Sequence, residues 1–433
     1  MRVGIVRSLA TSASGGIFQY EITFLRALSE IAARIPEELV YLSTHPGDIA
    51  PLASAGGLNY LNLPILPLNE PSPRQPPPEV YTHQQPPTPP LFDPNVAKFD
   101  DASTSIFRES GVKLLLMLSP SLNAFSVRLP FVTPILDLNH RLQPEFPEVS
   151  AFGESNRREY FYINTCRFAT LVIVDSEVGK ADVLRFYGNL IHDDRIRILP
   201  YYPLIREKPL PNQQELSRVR AKYNLPDRYF FYPAQFWRHK NHALIVHAVK
   251  LIADETDERV QIVLCGSYQH HTLAVNFQEV MALAVKLGIG NCVHYLGSVP
   301  DADMAALYTL SSGLVMPTFF GPTNIPPLEA WHFGRPVVTS DIPGIREQIG
   351  DAGWLVDPHS PQALAVAMKR LWYDDALGAE LVARGRQRLT SYSWNSFVDS
   401  IATIVVDACQ RVRTERTPRY PDAKPIAPPV LPT

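Results

Sequence analysis

The chain has 433 residues, too many for one ordinary core, so two domains are expected. Apolar residues make up 45% and charged residues 19%, which excludes a disordered chain, and the formal net charge of -3 excludes a global basic field that would recruit nucleic acid. The opening MRVGIVRSL is shorter than a signal-peptide core and no apolar run approaches a membrane span. The cysteines at 166, 265, 292 and 409 lack CxxC spacing, so reduced core thiols in a cytoplasmic protein are expected, with peripheral contact at the inner face of a membrane left open.

In chain order, Val3 to Val6 reads as a strand, followed by SASGGIFQ and a helical pattern with Phe18, Ile22, Leu25 and Leu28 on one face. Leu39 to Leu42 is a second strand. From Pro64 to Pro94 there are twelve prolines, a density that no helix or inner strand tolerates, so a long exposed loop is expected over about 64–98. Strands then follow at Val112 to Leu118 and Phe131 to Leu136. A helix at Glu154 to Phe168, strand LVIVDS, a helix at Glu177 to Tyr187 and strand IRILP complete the first half. The alternation restarts at Tyr229 to Tyr232 and continues through strands Val260 to Cys265, HYLGSV, Gly313 to Met316 and PVVTS, with helices between them. Two successive blocks of this kind predict an α/β architecture with parallel sheets, joined near Pro203 to Gln214. Trp394 to Ala408 has the spacing of an amphipathic helix, and the last seventeen residues, with six prolines, read as disordered.

Open α/β sheets gather ligands at the carboxyl ends of their strands. In the first half those ends offer Gly15-Gly16, Asp137 and His140. In the second they offer Gln235, Arg238, Lys240 and Asn241, then Gly266, Gly297, and the run GPTNIPPLE with Thr323, Asn324, Ile325, Pro326 and Glu329. Gly16 suits close approach to a ligand at a helix N-terminus, or simply a tight turn. Lys240 precedes a helix and can reach a phosphate as a point charge, or stand solvated. The Gly-Pro-Thr-Asn bend and the proline-led helix after it form a corner where a diphosphate can rest. Glu329, in the first turn, fits either a ribose hydroxyl pair or compensation of the helix dipole. His140 fits acid–base chemistry or a structural role equally. His270-His271 lack metal-ligand spacing, and no metal or other cofactor is called for. VGIVRSLATSASGG lacks the GxGxxG spacing of a nicotinamide-binding turn.

These segments resemble the retaining glycosyltransferases of family 4, which have the GT-B fold: two Rossmann-like domains facing across a cleft. The resemblance is carried by FYPAQFWRHKN, YLGSV, PTFFGPTNIPPLEA, FGRPVVTSDIPG and DAGWLVDP, and in the first half by GGIFQY, DLNHRLQPEF and VDSEVGKADVLRFYG. It implies an acceptor-side domain at 1–205, a nucleotide-sugar-binding domain at 206–390, a helix at 391–416 crossing back to the first domain and a disordered tail at 417–433. It also implies a metal-free transfer of a hexose from a nucleotide-diphosphate sugar to a glycan or lipid-linked acceptor. Lys240 then matches the phosphate-binding lysine, Glu329 the ribose-holding glutamate, Asn324 and Ile325 the phosphate-facing bend, and Gly16 the glycine loop.

Three positions depart from the family pattern. Gln235 stands where an arginine is common, and Arg238 is the candidate to replace its charge. Gly321 stands where a glutamate usually meets the sugar hydroxyls. Leu136 stands where a histidine usually ends the strand, with His140 matching a second histidine of an Asp-Leu-x-His variant. The combination of GPTN with QFWxHKN resembles a bacterial subgroup that transfers mannose to surface polysaccharides, which makes GDP-mannose the favoured donor. A non-catalytic sugar-nucleotide-binding scaffold and a sugar-nucleotide epimerase or hydrolase are the rival expectations.

Overall fold

The structure is a computed structural model that describes residues 1–8, 16–43, 58–62, 92–93, 96–121, 123–256, 258–268 and 271–420. Within these residues two all-parallel sheets are built. The first contains β1 (Arg2–Val6), β2 (Glu38–Ser43), β3 (Asn59–Asn62), β4 (Val112–Met117), β5 (Phe131–Pro134), β6 (Leu171–Val174) and β7 (Ile196–Ile198), in the order β3-β2-β1-β4-β5-β6-β7. The second contains β8 (Phe230–Pro233), β9 (Ile262–Cys265), β10 (Val293–Tyr295), β11 (Gly313–Met316), β12 (Val337–Ser340) and β13 (Trp354–Val356), in the order β10-β9-β8-β11-β12-β13. In each sheet the order reverses beside the first strand, between β1 and β4 and between β8 and β11, and ligand crevices form at such switch points.

The sequence explains the burial. β6 (LVIV), β9 (IVLC), β11 (GLVM) and β12 (VVTS) are buried at every residue, as parallel strands covered by helices on both faces must be. In β4, Leu114 and Leu116 join one core while Leu115 and Met117 join the core on the other face, the period-2 alternation of a pleated strand. The last helix, Trp394–Arg413, lies on the first sheet's side. Phe397, Ile401, Ile404, Val405 and Ala408 share a core with Phe24 and Leu28 of the helix Gly16–Ile31. Trp394 Nε1 donates to Glu30 at 2.8 Å, and Arg413 pairs with buried Glu37.

Some expectations change. Of the proline-rich stretch, residues 63–91 and 94–95 lie outside the described residues. Its far end is docked, however: Phe92 stacks on Tyr160 at 4.7 Å, and the Lys98 N–H bonds the Tyr160 hydroxyl. The tail expected to be disordered starts ordered, because Tyr420 stacks on Phe168 at 4.9 Å and donates to the Leu129 carbonyl; residues 421–433 lie outside the described residues. All four cysteines are buried and free. No described helix is long and apolar enough to cross a membrane.

One packing detail fixes the helix Ile325–His332. Gly385 sits inside the helix Asp375–Leu389, where glycine costs about 1 kcal/mol relative to alanine. A Cβ there would meet the fully buried Trp331 ring at 2.2 Å. Glycine is thus the residue that lets the two helices touch. Gly385→Ala is expected to lower stability by about 1–3 kcal/mol despite its better helix propensity; urea unfolding followed by Trp fluorescence measures it.

Candidate functional site

The loops after β8 and β11 meet at the switch point of the second sheet. Asn241, in the left-handed conformation (φ 58°), donates through Nδ2 to the carbonyls of Pro317 (2.9 Å) and Pro358 (2.8 Å). That clamp fixes the preceding residue, Lys240, whose Nζ lies 3.5 Å from Asn324 Oδ1. Asn324 is itself clamped, its N–H donating to Gln348 Oε1 at 2.9 Å and its carbonyl accepting from Gln348 Nε2 at 2.6 Å. The Asn324 Nδ2 is buried without a partner. Burial pulls the Lys240 ammonium down to about 8, against the opposing pull of Asp137 and Glu148. A buried donor without an acceptor and a desolvated cation side by side are what an incoming anion would satisfy.

Asn324 caps the helix Ile325–His332. The expected cradle of backbone N–H groups is sparser than the bend suggested. Pro326 and Pro327 have no N–H, and that of Asn324 is engaged by Gln348, which leaves those of Thr323 and Ile325 to face an anion. The side chains of Lys240 and Asn324 carry correspondingly more of the positive field.

Glu329 sits one turn into this helix. Its Oε2 accepts from Tyr308 at 2.6 Å, and its Oε1 has no protein partner among the described residues. Burial raises its carboxyl to about 7, against the pull of the Tyr308 hydrogen bond and Lys208 and with Asp301 adding to the rise. An unpaired oxygen at this depth suits a hydroxyl pair better than dipole compensation.

Gly266 (φ 148°) brings the loop after β9 against the loop after β8. A Cβ there would meet the Ala234 carbonyl at 2.3 Å, and its N–H bonds the Gly297 carbonyl at 3.0 Å. Gly16 opens the helix Gly16–Ile31 with open space where a Cβ would stand. Two residues placed here by sequence are engaged elsewhere. Arg238 pairs with Glu279 on the helix His271–Lys286, so it does not replace the charge lost at Gln235, whose Oε1 accepts from Trp237 Nε1.

From the first domain, Asp137 reaches the site and His140 does not. Burial disfavours the Asp137 carboxylate, yet the charge of Arg158, with hydrogen bonds from Arg158 (2.7 Å) and the Asn139 N–H, holds it below the usual range. The His140 side chain is fully buried in the first domain: Nε2 meets Glu159 Oε1 at 2.7 Å, the Tyr187 hydroxyl is at 3.4 Å and the ring stacks on Tyr162. Nε2 is engaged by Glu159 while Nδ1 is buried without a partner, contacts that suit the structural role of the two that the sequence left open. Arg158 was missed; its place one helical turn after Glu154, which also binds it, was the available signal.

The two domains touch directly around this point. Thr323 Oγ1 donates to Asp175 Oδ2 at 2.5 Å. The N-terminus of the helix Glu177–Tyr187 is capped from across the cleft by Glu347, which accepts from the N–H groups of Glu177 and Val178 at 2.9 and 3.0 Å. Glu148 accepts from both the His239 N–H and its ring, and Gln143 Nε2 donates to the Phe319 carbonyl at 3.0 Å. The space left among Asp137, Asp175, Phe320 and Pro322 is about 10 Å³, room for one water at most. A larger cavity of about 540 Å³ lies beside Arg228, Ser312 and Pro336, at the amino ends of β8, β11 and β12, the wrong edge for a switch-point ligand. Among the described residues no group of three or more His, Cys, Asp or Glu is arranged to hold a metal ion.

A model of the family "Glycosyl transferases group 1" matches residues 213–388, the span that holds Lys240, Asn324 and Glu329. Over those residues the chain is similar to the glycosyl transferases group 1 family. The chain is 26% identical over 59% of its length to the serotype-specific mannosyltransferase WbdA of Escherichia coli, of which it covers 31%. It is 27% identical over 53% of its length to the O-antigen chain mannosyltransferase B of the same organism, of which it covers 58%. It therefore spans less than two thirds of these relatives. Beyond the group 1 domain, the whole architecture matches HepE of Anabaena, solved with UDP-glucose, at a TM-score of 0.67 and 16% identity, covering 94% of this chain and 99% of that one. The fold is GT-B.

The Gly-Pro-Thr-Asn bend of this chain depends on Gly321. Its φ of 137° lies in the region that favours glycine, and a Cβ would meet the Asn324 amide nitrogen at 2.6 Å. Gly321→Ala is expected to cost about 1–2 kcal/mol of stability and to displace the Asn324 amide from Lys240; thermal unfolding and the NMR shift of the Asn324 amide read the two effects separately.

Proposed function

We propose that the chain is a retaining glycosyltransferase that moves a hexose, mannose by preference, from a nucleotide-diphosphate sugar to a glycan or lipid-linked acceptor. The carrying observation is the pairing of Lys240 and Asn324 at 3.5 Å on the N-terminus of the helix that also bears Glu329. Together they present a charge and an amide donor for a diphosphate and, a turn later, a carboxylate for a ribose. The names of the mannose-transferring relatives favour GDP-mannose as donor and a surface polysaccharide as product. The chain is proposed to work on the cytoplasmic side, with peripheral contact at the membrane where a lipid-linked acceptor resides.

The mechanism follows from where charge develops. As the bond between the anomeric carbon and the diphosphate oxygen breaks, negative charge builds on the leaving group. Lys240, Asn324 Nδ2 and the N–H groups of Thr323 and Ile325 are aimed to stabilise it. The acceptor hydroxyl attacks the anomeric carbon on the same face, and its proton passes to the departing phosphate oxygen. This needs no metal and no protein base, which accords with the engagement of His140 Nε2 by Glu159. Asp137 orients the sugar or the acceptor from the opposite wall. Contacts such as Glu148 with His239 draw the domains together and exclude water.

The departures at Gln235, Leu136 and Gly321 also suit a sugar-nucleotide-binding scaffold, and an epimerase or hydrolase would turn over donor without acceptor. Thermal shift with GDP-mannose, UDP-glucose and their ADP and dTDP counterparts, followed by transfer assays with and without acceptor, separates these readings. A true donor at a hundredfold over its Kd should stabilise by about 2.7 kcal/mol. Lys240→Ala should weaken donor binding by about 1.5–3 kcal/mol, roughly ten- to hundredfold, without loss of fold. Full transfer activity in that variant defeats the assignment.

Donor affinity should also be bell-shaped in pH. The ribose hydroxyls favour the ionised Glu329, so affinity rises as pH passes upward through about 7. The diphosphate favours the protonated Lys240, so affinity falls as pH passes upward through about 8. Isothermal titration between pH 5.5 and 9.5 should place the maximum between these values, and Glu329→Gln should remove the acid limb alone.

A further inference from the structure

Asp175 is the residue directly after β6, and its side chain is almost fully buried at the cleft. Among the described residues no Lys, Arg or His forms an ion pair with it. Its two oxygens are satisfied by hydroxyls instead: Oδ2 accepts from Thr323 at 2.5 Å, and Oδ1 from Ser176 at 3.0 Å. Asp137, at the end of the neighbouring strand β5, differs in having Arg158 as a charged partner.

A simple structural explanation for Asp175 would be capping of the helix Glu177–Tyr187. That helix is already capped. Ser176 Oγ accepts from the Gly179 N–H, and the first two N–H groups are taken by Glu347 of the second domain. The helix instead makes room for the carboxylate, since a Cβ on Gly179 would stand 2.9 Å from Asp175 Oδ1. Burial raises the carboxyl to about 6, with the Thr323 and Ser176 hydrogen bonds pulling the other way.

Across the cleft lies the bend in which Gly321 supplies no side chain. Thr323, two residues later, projects its hydroxyl from the donor-side wall onto Asp175. Asp137 and Asp175 line the same small space with Phe320 and Pro322 from that bend. A buried carboxylate without an ion pair, hydrogen-bonded by hydroxyls and lining a space shared with a second carboxylate, is chemistry suited to polyol recognition.

We propose that Asp175 is a sugar-binding residue, its carboxylate accepting hydrogen bonds from hydroxyls of the transferred hexose opposite Asp137 and supplying from the first domain the contact that Gly321 cannot make. The space beside Asp175 is only about 10 Å³, so the hexose enters when the two walls part and the Thr323–Asp175 hydrogen bond is broken. The inference rests on the donor-site reading of Lys240, Asn324 and Glu329.

The test compares nucleotide with sugar nucleotide on the full chain by isothermal titration, using the pairs GDP with GDP-mannose and UDP with UDP-glucose. For the pair that the wild-type chain binds, Asp175→Asn should weaken the sugar nucleotide roughly tenfold or more while leaving the plain nucleotide within about twofold. Thr323→Val, which keeps the carboxylate and removes its internal partner, should shift the preference toward the sugar nucleotide. An unchanged ratio in Asp175→Asn, an equal loss of both ligands, or a Thr323→Val ratio that stays level or falls overturns the inference alone. Failure of the wild-type chain to bind either pair overturns the donor-site reading, and the inference with it.

Discussion

The site is organised around an electrostatic mismatch: the Lys240 ammonium is half-buried with a neutral amide as its hydrogen-bond partner. Asp137 and Glu148 stabilise it only at longer range, which is why its affinity for a proton is reduced. Such a group is costly unless an anion visits it. The surrounding structure keeps it in place regardless. Asn241 ties the lysine loop to the carbonyls of Pro317 and Pro358, and Gln348 grips both backbone polar groups of Asn324. Beneath them Trp331, fully buried against Gly385, sets the position of the helix itself. The supports are thus polar at the loops and apolar below, and both hold the charge where it is least well solvated.

The same constraint shapes the meeting of the two domains. The first domain presents carboxylates to this electropositive corner: Asp137 and Glu148 act on Lys240, and Asp175 takes the hydroxyl of Thr323. The second domain returns one, Glu347, to the N-terminus of the helix Glu177–Tyr187, where the partial positive end of a helix favours an anion. Complementary charge therefore runs in both directions across the cleft. These contacts are mostly polar, with Phe146 against Phe319 at 5.5 Å as an aromatic exception, whereas the last helix is joined to the first domain through an apolar core of Phe397, Ile401 and Val405. Opening at the polar seam while the apolar attachment holds is the motion this division of contacts permits.

Much of this was legible in the sequence. The buried strands announced themselves as continuous apolar runs, and the helices Glu154–Phe168, Glu177–Tyr187 and Asp301–Leu310 were bounded as expected because caps and flanking prolines or glycines mark their ends. Strand β3 and the helices Asp101–Glu109, Gln213–Tyr223 and Asp375–Leu389 were passed over. The sequence NYLN is too short and polar to signal an edge strand, although the Asn212–Glu215 capping box ahead of the second of those helices was there to be found. Lys240 and Asn324 could be placed at strand ends from the sequence because loop position after a parallel strand is a local property. The direction of a side chain is not, so Arg238 turned toward Glu279 and His140 toward Glu159 could not be read from their neighbours in the chain. Asp175 was quoted within a motif and overlooked for the same reason: its significance lies in Thr323, distant in sequence and belonging to the other sheet.

The three carboxyls at the cleft differ in ways that follow from their partners. Asp137 has a guanidinium and is held in its charged form despite burial. Asp175 and Glu329 have only hydroxyl partners, Thr323 with Ser176 for the one and Tyr308 for the other, and both are shifted toward the protonated form. A charged carboxylate without an ion pair is costly when buried, and hydroxyls that donate to its ionised form offset part of that cost. In the ligand proposed, the ribose would meet Glu329 and the hexose Asp175, the two carboxyls without an ion pair, and Lys240 would supply the charge for the diphosphate. The difference among the three acids thus arises from which partners each was given rather than from any one motif.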